Sequence, residues 1–325
     1  VGGRGGRALK AAVIRDGSLV VEDRPTPEPV ADDVLVEVTG AGVNRADLLQ
    51  LAGGYPAPPG WPADVPGMEF AGRVVAVGPR VTQVSTGDSV WGIVGGGAQS
   101  THVLTRESLC APVPAGVDLV EAGGVPEAFL TVHDALRRAL LRSGQRVLIQ
   151  GVGSGVGTAA IQIVKALGAT SVGTSRTAEK LERAKELGLD DGVLAGEGVA
   201  QRIGRVDVVL ELIGGEYLEV DVEVCKPRGR IVIVGLIAGS NARLDMGAML
   251  RKRLTVVGTV LRSRPEHEKA AATAAFASEI VPLFERGALR PVIDDVIPLR
   301  HIQSAYERLS SNSSFGKLVL DPKGV

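Results

Sequence analysis

The stretch IQGVGSGVGTAA, from Ile149 to Ala160, carries glycines at 151, 153, 155 and 157 directly after the apolar run 146–150. A strand that runs into glycines at the start of a helix presents backbone N–H groups and the positive end of the helix dipole to a pyrophosphate at close range. Gly153, Ser154, Gly155, Val156 and Gly157 are therefore the expected contacts of a dinucleotide. No starting point gives GxGxxG strictly, and a side chain, Ser154, stands inside the turn. The choice of nucleotide follows from the end of the next strand. An NAD site places Asp or Glu about 20 residues past the glycines to hold the ribose 2′-hydroxyl, whereas GTSRTAEK (173–180) has no acid before Glu179. This points to NADPH, with Ser175 donating to a 2′-phosphate and Arg176 and Lys180 supplying charge-assisted bonds. The plainer alternative is that Arg176 and Lys180 only solvate a helix start.

Such a loop needs a sheet to hold it. Between about 146 and 261 apolar runs alternate with amphipathic ones: strands are expected at 147–150, 171–175, 192–195, 206–212, 230–235 and 254–261, with helices at 157–167 and 178–187. That pattern is a doubly wound α/β parallel sheet. LIGG (212–215) and IVGL (233–236) fall at carboxyl ends of its strands, so backbone around Gly214, Gly235, Leu236 and Leu261 should approach the cofactor. Residues 10–125 instead hold short alternating runs at 11–14, 34–39, 72–77, 89–91 and 99–103, broken by Gly, Pro and Asp, as in a mostly antiparallel barrel-like domain. After residue 264 come one long helix (265–286), the strand PVIDDVIPL, a helix at 300–309 and the strand GKLVL. With six strands already in the parallel sheet, these last elements should return to the first domain. The expected limits are a flexible leader at 1–9, a catalytic domain of 10–125 and 265–325, and a nucleotide-binding domain of 126–264.

Bulk composition narrows the partners. A 325-residue chain with 45% hydrophobic residues and a net charge of −1 offers no field for nucleic acid or an anionic membrane. No apolar run approaches the roughly 18 to 20 residues of a membrane span. Cys110 and Cys225, far apart, suit a reducing cytoplasm and exclude a Cys-rich zinc lobe.

VNRADLLQLAGGYPAPPG, PGMEFAGRVVAVGP, GDSVWGI, PEAFLTVHDAL, GSGVGTAAIQIVKALGA, LIGG, IVIVGL and LRSR, in this order over nearly the whole chain, resemble the zinc-independent quinone oxidoreductases of the medium-chain dehydrogenase/reductase superfamily. The resemblance implies a GroES-like catalytic domain interrupted by a Rossmann domain, with the active site in the cleft between them. It also implies hydride transfer from NADPH to a quinone, and homodimers formed by edge pairing of the nucleotide-binding sheets, for which 254–261 is the candidate strand. The zinc enzymes of the superfamily carry Cys and His where this chain has Asn44 and Met68, neither a good zinc ligand, so no metal is expected. The histidines at 102, 133, 267 and 301 form no ligand pattern. Many relatives have a Tyr just after the third strand, where this chain has Ala195 and Gly196, so that contact is not carried over.

Hydride transfer to a quinone asks chiefly for orientation and exclusion of water, with donors near the quinone oxygen to stabilise developing charge. By resemblance Tyr55 is the cleft tyrosine, Asn44 its polar neighbour and Thr131 the contact of the nicotinamide carboxamide. Ser154 could donate to the carboxamide or the acceptor, or only satisfy local backbone. Asp47 is expected to be structural, and Trp61, Trp91 and Phe129 to wall an apolar pocket or to be core. Two other functions stay open: reduction of α,β-unsaturated ketones or enoyl thioesters, which must also protonate the α-carbon, and NADPH binding without turnover in a structural or regulatory role.

Overall fold

The computed structural model describes residues 8–325. The leader expected at 1–9 lies outside the described residues up to residue 7, and Ala8 and Leu9 already belong to a strand. Two compact units make up the chain: one takes everything up to Glu127 together with Arg262–Val325, the other Ala128–Leu261.

The first unit opens with an antiparallel hairpin of β1 (Ala8–Arg15) and β2 (Ser18–Pro25). Its two-residue turn has both residues at positive φ, Asp16 at 47° and Gly17 at 75°, the pair that Asp-Gly favours. β2 was not expected, because its charges follow no clean alternation. β3 (Asp33–Val43), α1 (Arg45–Leu51), β4 (Glu69–Val77), β5 (Ser89–Ile93), β6 (His102–Arg106) and β7 (Cys110–Pro112) follow, and α2 (Pro126–Arg138) starts at the end of this segment and belongs to the second unit from Ala128 on. β3 is the spine: Val34, Val36, Val38, Ala41 and Val43 enter one core with Phe70, Val74, Leu299, Ile302, Tyr306 and Leu318.

In the second unit the elements are β8 (Arg146–Ile149), α3 (Gly155–Ala166), β9 (Thr170–Ser175), α4 (Ala178–Glu186), β10 (Asp191–Leu194), α5 (Val199–Ile203), β11 (Val206–Glu211), α6 (Tyr217–Val224), β12 (Cys225–Ile233), α7 (Met246–Lys252) and β13 (Thr255–Gly258). All six strands are parallel, in the order β10-β9-β8-β11-β12-β13. The order reverses between β8 and β11, so the loops leaving those two strands flank the switch point, where ligands of open α/β sheets bind. The edge strand is shorter than the expected 254–261. Thr259 gives its N–H at 3.0 Å to the carbonyl of Ile233, the last residue of β12, and its hydroxyl to Asp134 at 2.9 Å, and β13 ends at Gly258. Leu261 instead turns inward and is buried.

Returning to the first unit, α8 (Glu266–Glu279) and α9 (Val281–Glu285) replace the single long helix expected. Pro282 lacks the N–H and clashes with a continuing turn, so it breaks the helix and opens the next one. β14 (Ile293–Pro298), α10 (Ile302–Ser310) and β15 (Lys317–Asp321) complete the sheet β14-β15-β3-β4-β5-β7, with β6 also on β3. Only β14–β15 pairs parallel in it. The architecture is thus a mostly antiparallel GroES-like β unit and a Rossmann parallel sheet. No helix among the described residues is long and apolar enough to cross a membrane.

Candidate functional site

In the second unit the loop after β8 explains why it departs from the strict fingerprint. Gly151 takes φ 71°, the left-handed turn that starts the loop. Val152 is fully buried, against Gly173, so a core side chain stands where the turn can spare one. A Cβ on Gly157 would sit 2.5 Å from Gly151 O, so only glycine lets α3 pack this closely on the loop. Ser154 is the N-cap of α3: its hydroxyl donates to Gly151 O at 2.9 Å and accepts the N–H of Gly157 at 3.0 Å. Of the two expectations for this hydroxyl, the geometry fits the local one, with its proton on the loop carbonyl. The N–H groups of Gly155 and Val156, in the first turn, have no intrahelical partner and are the donors left for an anion. A Cβ on Gly153 would come within 2.7 Å of Lys180 Cδ, so the lysine stem lies across the glycine loop.

At the end of β9 Ser175 is buried and its Oγ accepts the N–H of Thr177 at 3.2 Å, which leaves its proton to donate. Arg176 is exposed. Gly235 closes on β11, where a Cβ would meet Leu212 O at 2.4 Å, and Gly214 (φ 76°) approaches Gly239 O. Leu236 stands 53% exposed at this edge. Thr131 is half-buried, while Phe129 is core.

The first unit holds a buried polar centre at the end of β3. Asn44 is held on both sides of its amide: Nδ2 donates to Glu69 Oε1 at 2.8 Å and Oδ1 accepts from Lys317 Nζ at 2.6 Å. Lys317 Nζ also lies 2.6 Å from Glu69 Oε1 and donates to Val43 O at 3.1 Å. Glu69, fully buried, accepts the N–H of Glu127 at 2.8 Å on its second oxygen. Gly42 makes room, for a Cβ there would fall 2.1 Å from Glu69 Oε1. Asn44, expected to be a polar neighbour facing the acceptor, has its carbonyl and one N–H spent inside this centre. Met68 is buried beside it.

Asp47 lies one turn along, with no exposed surface, accepting the N–H of Asn44 at 2.8 Å, of Gly67 at 3.3 Å and Gln99 Nε2 at 3.2 Å. Gln99 accepts in turn from the Tyr306 hydroxyl at 2.7 Å. Burial pushes the Asp47 carboxyl up to about 6 against these donors. Burial and the neighbouring Glu69 push the half-buried Glu127 up to about 8. Tyr55 is fixed by Arg262, which lies 5.1 Å from the ring centroid and donates to Tyr55 O at 3.1 Å, to Gly95 O at 2.8 Å and to Gln50 at 2.5 Å. Burial raises the Tyr55 phenol above its usual value, keeping its proton in place.

Of the expected pocket aromatics, Trp91 is core, with no exposed surface and packed edge-on to Phe284 at 5.3 Å. Trp61 lies on Gly95 with Lys269 Nζ 5.5 Å from its ring centroid. Glu69, Glu127, Arg262 and Lys317 were not singled out from sequence. The available signal was a charge inside an apolar strand: Glu69 in MEFAG and Lys317 in GKLVL.

Residues 30–136 match the alcohol dehydrogenase GroES-like domain and residues 155–278 the zinc-binding dehydrogenase family. The chain is 32% identical over 318 residues to a quinone oxidoreductase of Pseudomonas aeruginosa, covering 94% of this chain and 95% of that one. It is 34% identical to the spectinabilin polyketide synthase system protein NorB of Streptomyces orinoci, but spans only 14% of that protein's length. It is 28% identical to an acryloyl-coenzyme A reductase of Sulfurisphaera tokodaii, over 93% of this chain and 96% of that one. Among solved structures, an alcohol dehydrogenase superfamily protein from Novosphingobium aromaticivorans superposes with TM-score 0.86 at 30% identity, over 96% of this chain and 99% of that one. The chain belongs to the medium-chain dehydrogenase/reductase superfamily, as a quinone oxidoreductase-like member of a family of oxidoreductases that use a nicotinamide cofactor. The free N–H groups of Gly155 and Val156 and the glycine-lined turn fit the pyrophosphate of such a cofactor.

Proposed function

We propose that this chain is an NADPH:quinone oxidoreductase that works without a metal. The observation that supports the metal-free reading is the use of Asn44, which by resemblance stands where the zinc enzymes carry a Cys ligand: its amide oxygen accepts from the Lys317 ammonium at 2.6 Å, and that ammonium is also 2.6 Å from Glu69 Oε1. An amide whose oxygen is already taken, a buried thioether and an ammonium make a poor zinc set. NADPH is favoured over NADH by the Ser175–Arg176 pair with Glu179 the first acid beyond it.

A bound nicotinamide supplies the hydride. The residues of this chain then have to bind, orient and donate. Gly155 and Val156 hold the pyrophosphate through backbone N–H groups, with Gly153 leaving room for the Lys180 stem. Ser175, Arg176 and Lys180 bind the 2′-phosphate. Backbone at Gly214, Gly235, Leu236 and Leu261 and the half-buried Thr131 position the nicotinamide end. Tyr55, pinned by Arg262 and protonated, donates to the acceptor oxygen, and Asn44 serves as a positioning residue through Lys317 and Glu69. The partners are small quinones or enones and a second copy of the chain. For the homodimer, β13 is an unpaired edge of the sheet, and Met246 and Leu250 beside it are 76% and 78% exposed. Two free cysteines suit residence in a reducing cytoplasm.

A second reading, reduction of enones or enoyl thioesters, is favoured by Glu127. With its carboxyl at about 8 it holds a proton near neutral pH, which is what protonation of an α-carbon requires; the acryloyl-coenzyme A reductase relative fits the same reading. Steady-state NADPH oxidation with 1,2-naphthoquinone, an alkenal and crotonyl-CoA separates the two. A naphthoquinone rate at least ~100-fold above the others in kcat/KM, which is about 2.7 kcal/mol of transition-state preference, supports the first reading. A dominant crotonyl-CoA rate that falls in Glu127→Gln supports the second.

A further inference from the structure

At the end of β11, Glu211 turns its carboxylate back onto its own loop. One oxygen accepts the N–H of Ile213 and that of Gly214 at 2.7 Å. The second oxygen is buried without a partner, and so is the second oxygen of Asp221 on α6. The other Asp221 oxygen accepts Gln150 Nε2 at 2.9 Å, Gln150 Oε1 accepts the Thr174 hydroxyl at 2.6 Å, and Thr174 Oγ1 accepts the N–H of Gly151 at 3.3 Å. All four side chains are at most 1% exposed. A line of bonds therefore starts at the glycine loop after β8 and reaches the turn after β11, the two loops that flank the switch point of the sheet, with one gap between two carboxyl groups.

A single proton on that gap satisfies both orphan oxygens, whereas two carboxylates there would leave two buried charges facing each other. Burial, then a hydrogen bond and charge from Glu211, hold the Asp221 carboxyl well above its usual range. The charged groups of the neighbouring elements are engaged elsewhere or neutral. The Cys225 thiol at the start of β12 is pushed up to about 12 and stays neutral. Lys252 of α7 spends its ammonium on Val222 O and Glu223 O, and Lys226 pairs with Asp207. The two loops also touch: a Cβ on Gly151 would meet Ile213 Cδ1 at 3.8 Å.

We propose that Glu211 and Asp221 share one proton, and that this pair, through Gln150 and Thr174, is a positioning device that fixes the Ile213–Gly214 turn against the glycine loop and makes cofactor affinity depend on the proton. The affinity half rests on the reading of these loops as the nicotinamide nucleotide site; the shared proton does not. Deprotonation sets like charges against each other and frees the Ile213–Gly214 turn. Asp221→Asn replaces the O–H donor by an N–H donor that does not titrate, and its carbonyl still accepts from Gln150.

Amide hydrogen exchange of the nucleotide-free protein and fluorescence titration with NADPH, both across neutral to alkaline pH, test this. In the wild type, exchange at Ile213 and Gly214, corrected for its intrinsic pH dependence, rises and NADPH Kd increases roughly tenfold on the alkaline side; in Asp221→Asn both stay flat. Asp221→Ala shows fast exchange at those two amides at every pH, while the amides of β8 and β9 keep their protection. An alkaline rise of equal size in wild type and Asp221→Asn overturns the shared proton, as does an Asp221→Ala variant with unchanged exchange at Ile213 and Gly214. If Asp221→Ala does not fold, the Asn comparison decides alone. A wild type that shows the exchange pattern but binds no NADPH refutes the nucleotide site and leaves the shared proton standing.

Discussion

Two buried carboxylate centres, one in each unit, are neutralised in opposite ways. In the β unit Glu69 is neutralised by a fixed cation, Lys317, with Asn44 bridging the two. In the Rossmann unit Glu211 and Asp221 face each other with no cation between them. A tethered ammonium holds its carboxylate over the whole range in which lysine is charged, whereas a proton holds its pair only while the solvent lets it stay. The first arrangement suits a centre that must keep its shape whatever is bound. The second ties the geometry of two loops to a single ionisation.

The comparison breaks most visibly at Lys317. Lys317→Met strands the buried Glu69 charge and should cost about 3 to 5 kcal/mol of unfolding free energy, read from urea midpoints; a loss below about 1 kcal/mol would show that the ammonium is not what holds this centre. Next comes Asp47, a fully buried acid of the β unit held by N–H donors. Its folded value of about 6 stands above the 3.8 of a free aspartate, so its contribution is fully present below about pH 4 and is lost as pH rises through about 6. A shift of this size is worth about 3 kcal/mol. Asp47→Asn should make the fall between about pH 4 and 6 shallower, leaving the loss that Glu127 contributes as pH rises from 4.5 to about 8. Stability curves of unchanged slope in the variant would place the titration elsewhere.

Effects in the Rossmann unit are smaller and fall on binding. If Arg176 binds the 2′-phosphate as proposed, Arg176→Asp removes one charge-assisted contact worth about 1.5 to 3 kcal/mol, and kcat/KM with NADPH relative to NADH should fall roughly ten- to a hundredfold. Equal use of both nucleotides by the unaltered protein contradicts the assignment. Ser154→Ala deletes the N-cap of α3 and should cost about 1 kcal/mol of stability, with kcat at saturating NADPH little changed; a large drop in kcat with full stability would restore the serine to the chemistry.

What could be read from sequence divides along the same line as the two units. The six parallel strands of the second unit followed from period and order, because apolar runs alternate there with amphipathic helical ones. The extra strand β2, the break at Pro282 and the short edge at Thr255–Gly258 did not, since each depends on which partner strand or helix is present. Ser154 is the instructive residue. Its place in the loop was legible, but the use of its hydroxyl was not, because Gly151 O and Gly157 N–H converge on it only once the turn has formed. The polar centre was the least legible: Glu69 and Lys317 are 248 positions apart, and β15 reaches β3 only through the sheet pairing of Leu318 with Val43.

The proposed function, NADPH-dependent quinone reduction without a metal, joins the Lys317 ammonium to Asn44 and Glu69 in one buried centre. It is tested most directly by steady-state oxidation of NADPH with 1,2-naphthoquinone, before and after exhaustive chelation, with zinc content measured on the same samples. The account predicts well under about 0.1 zinc per chain and a rate that chelation does not change, whereas about one tightly held zinc per chain, with turnover lost on its removal, contradicts it.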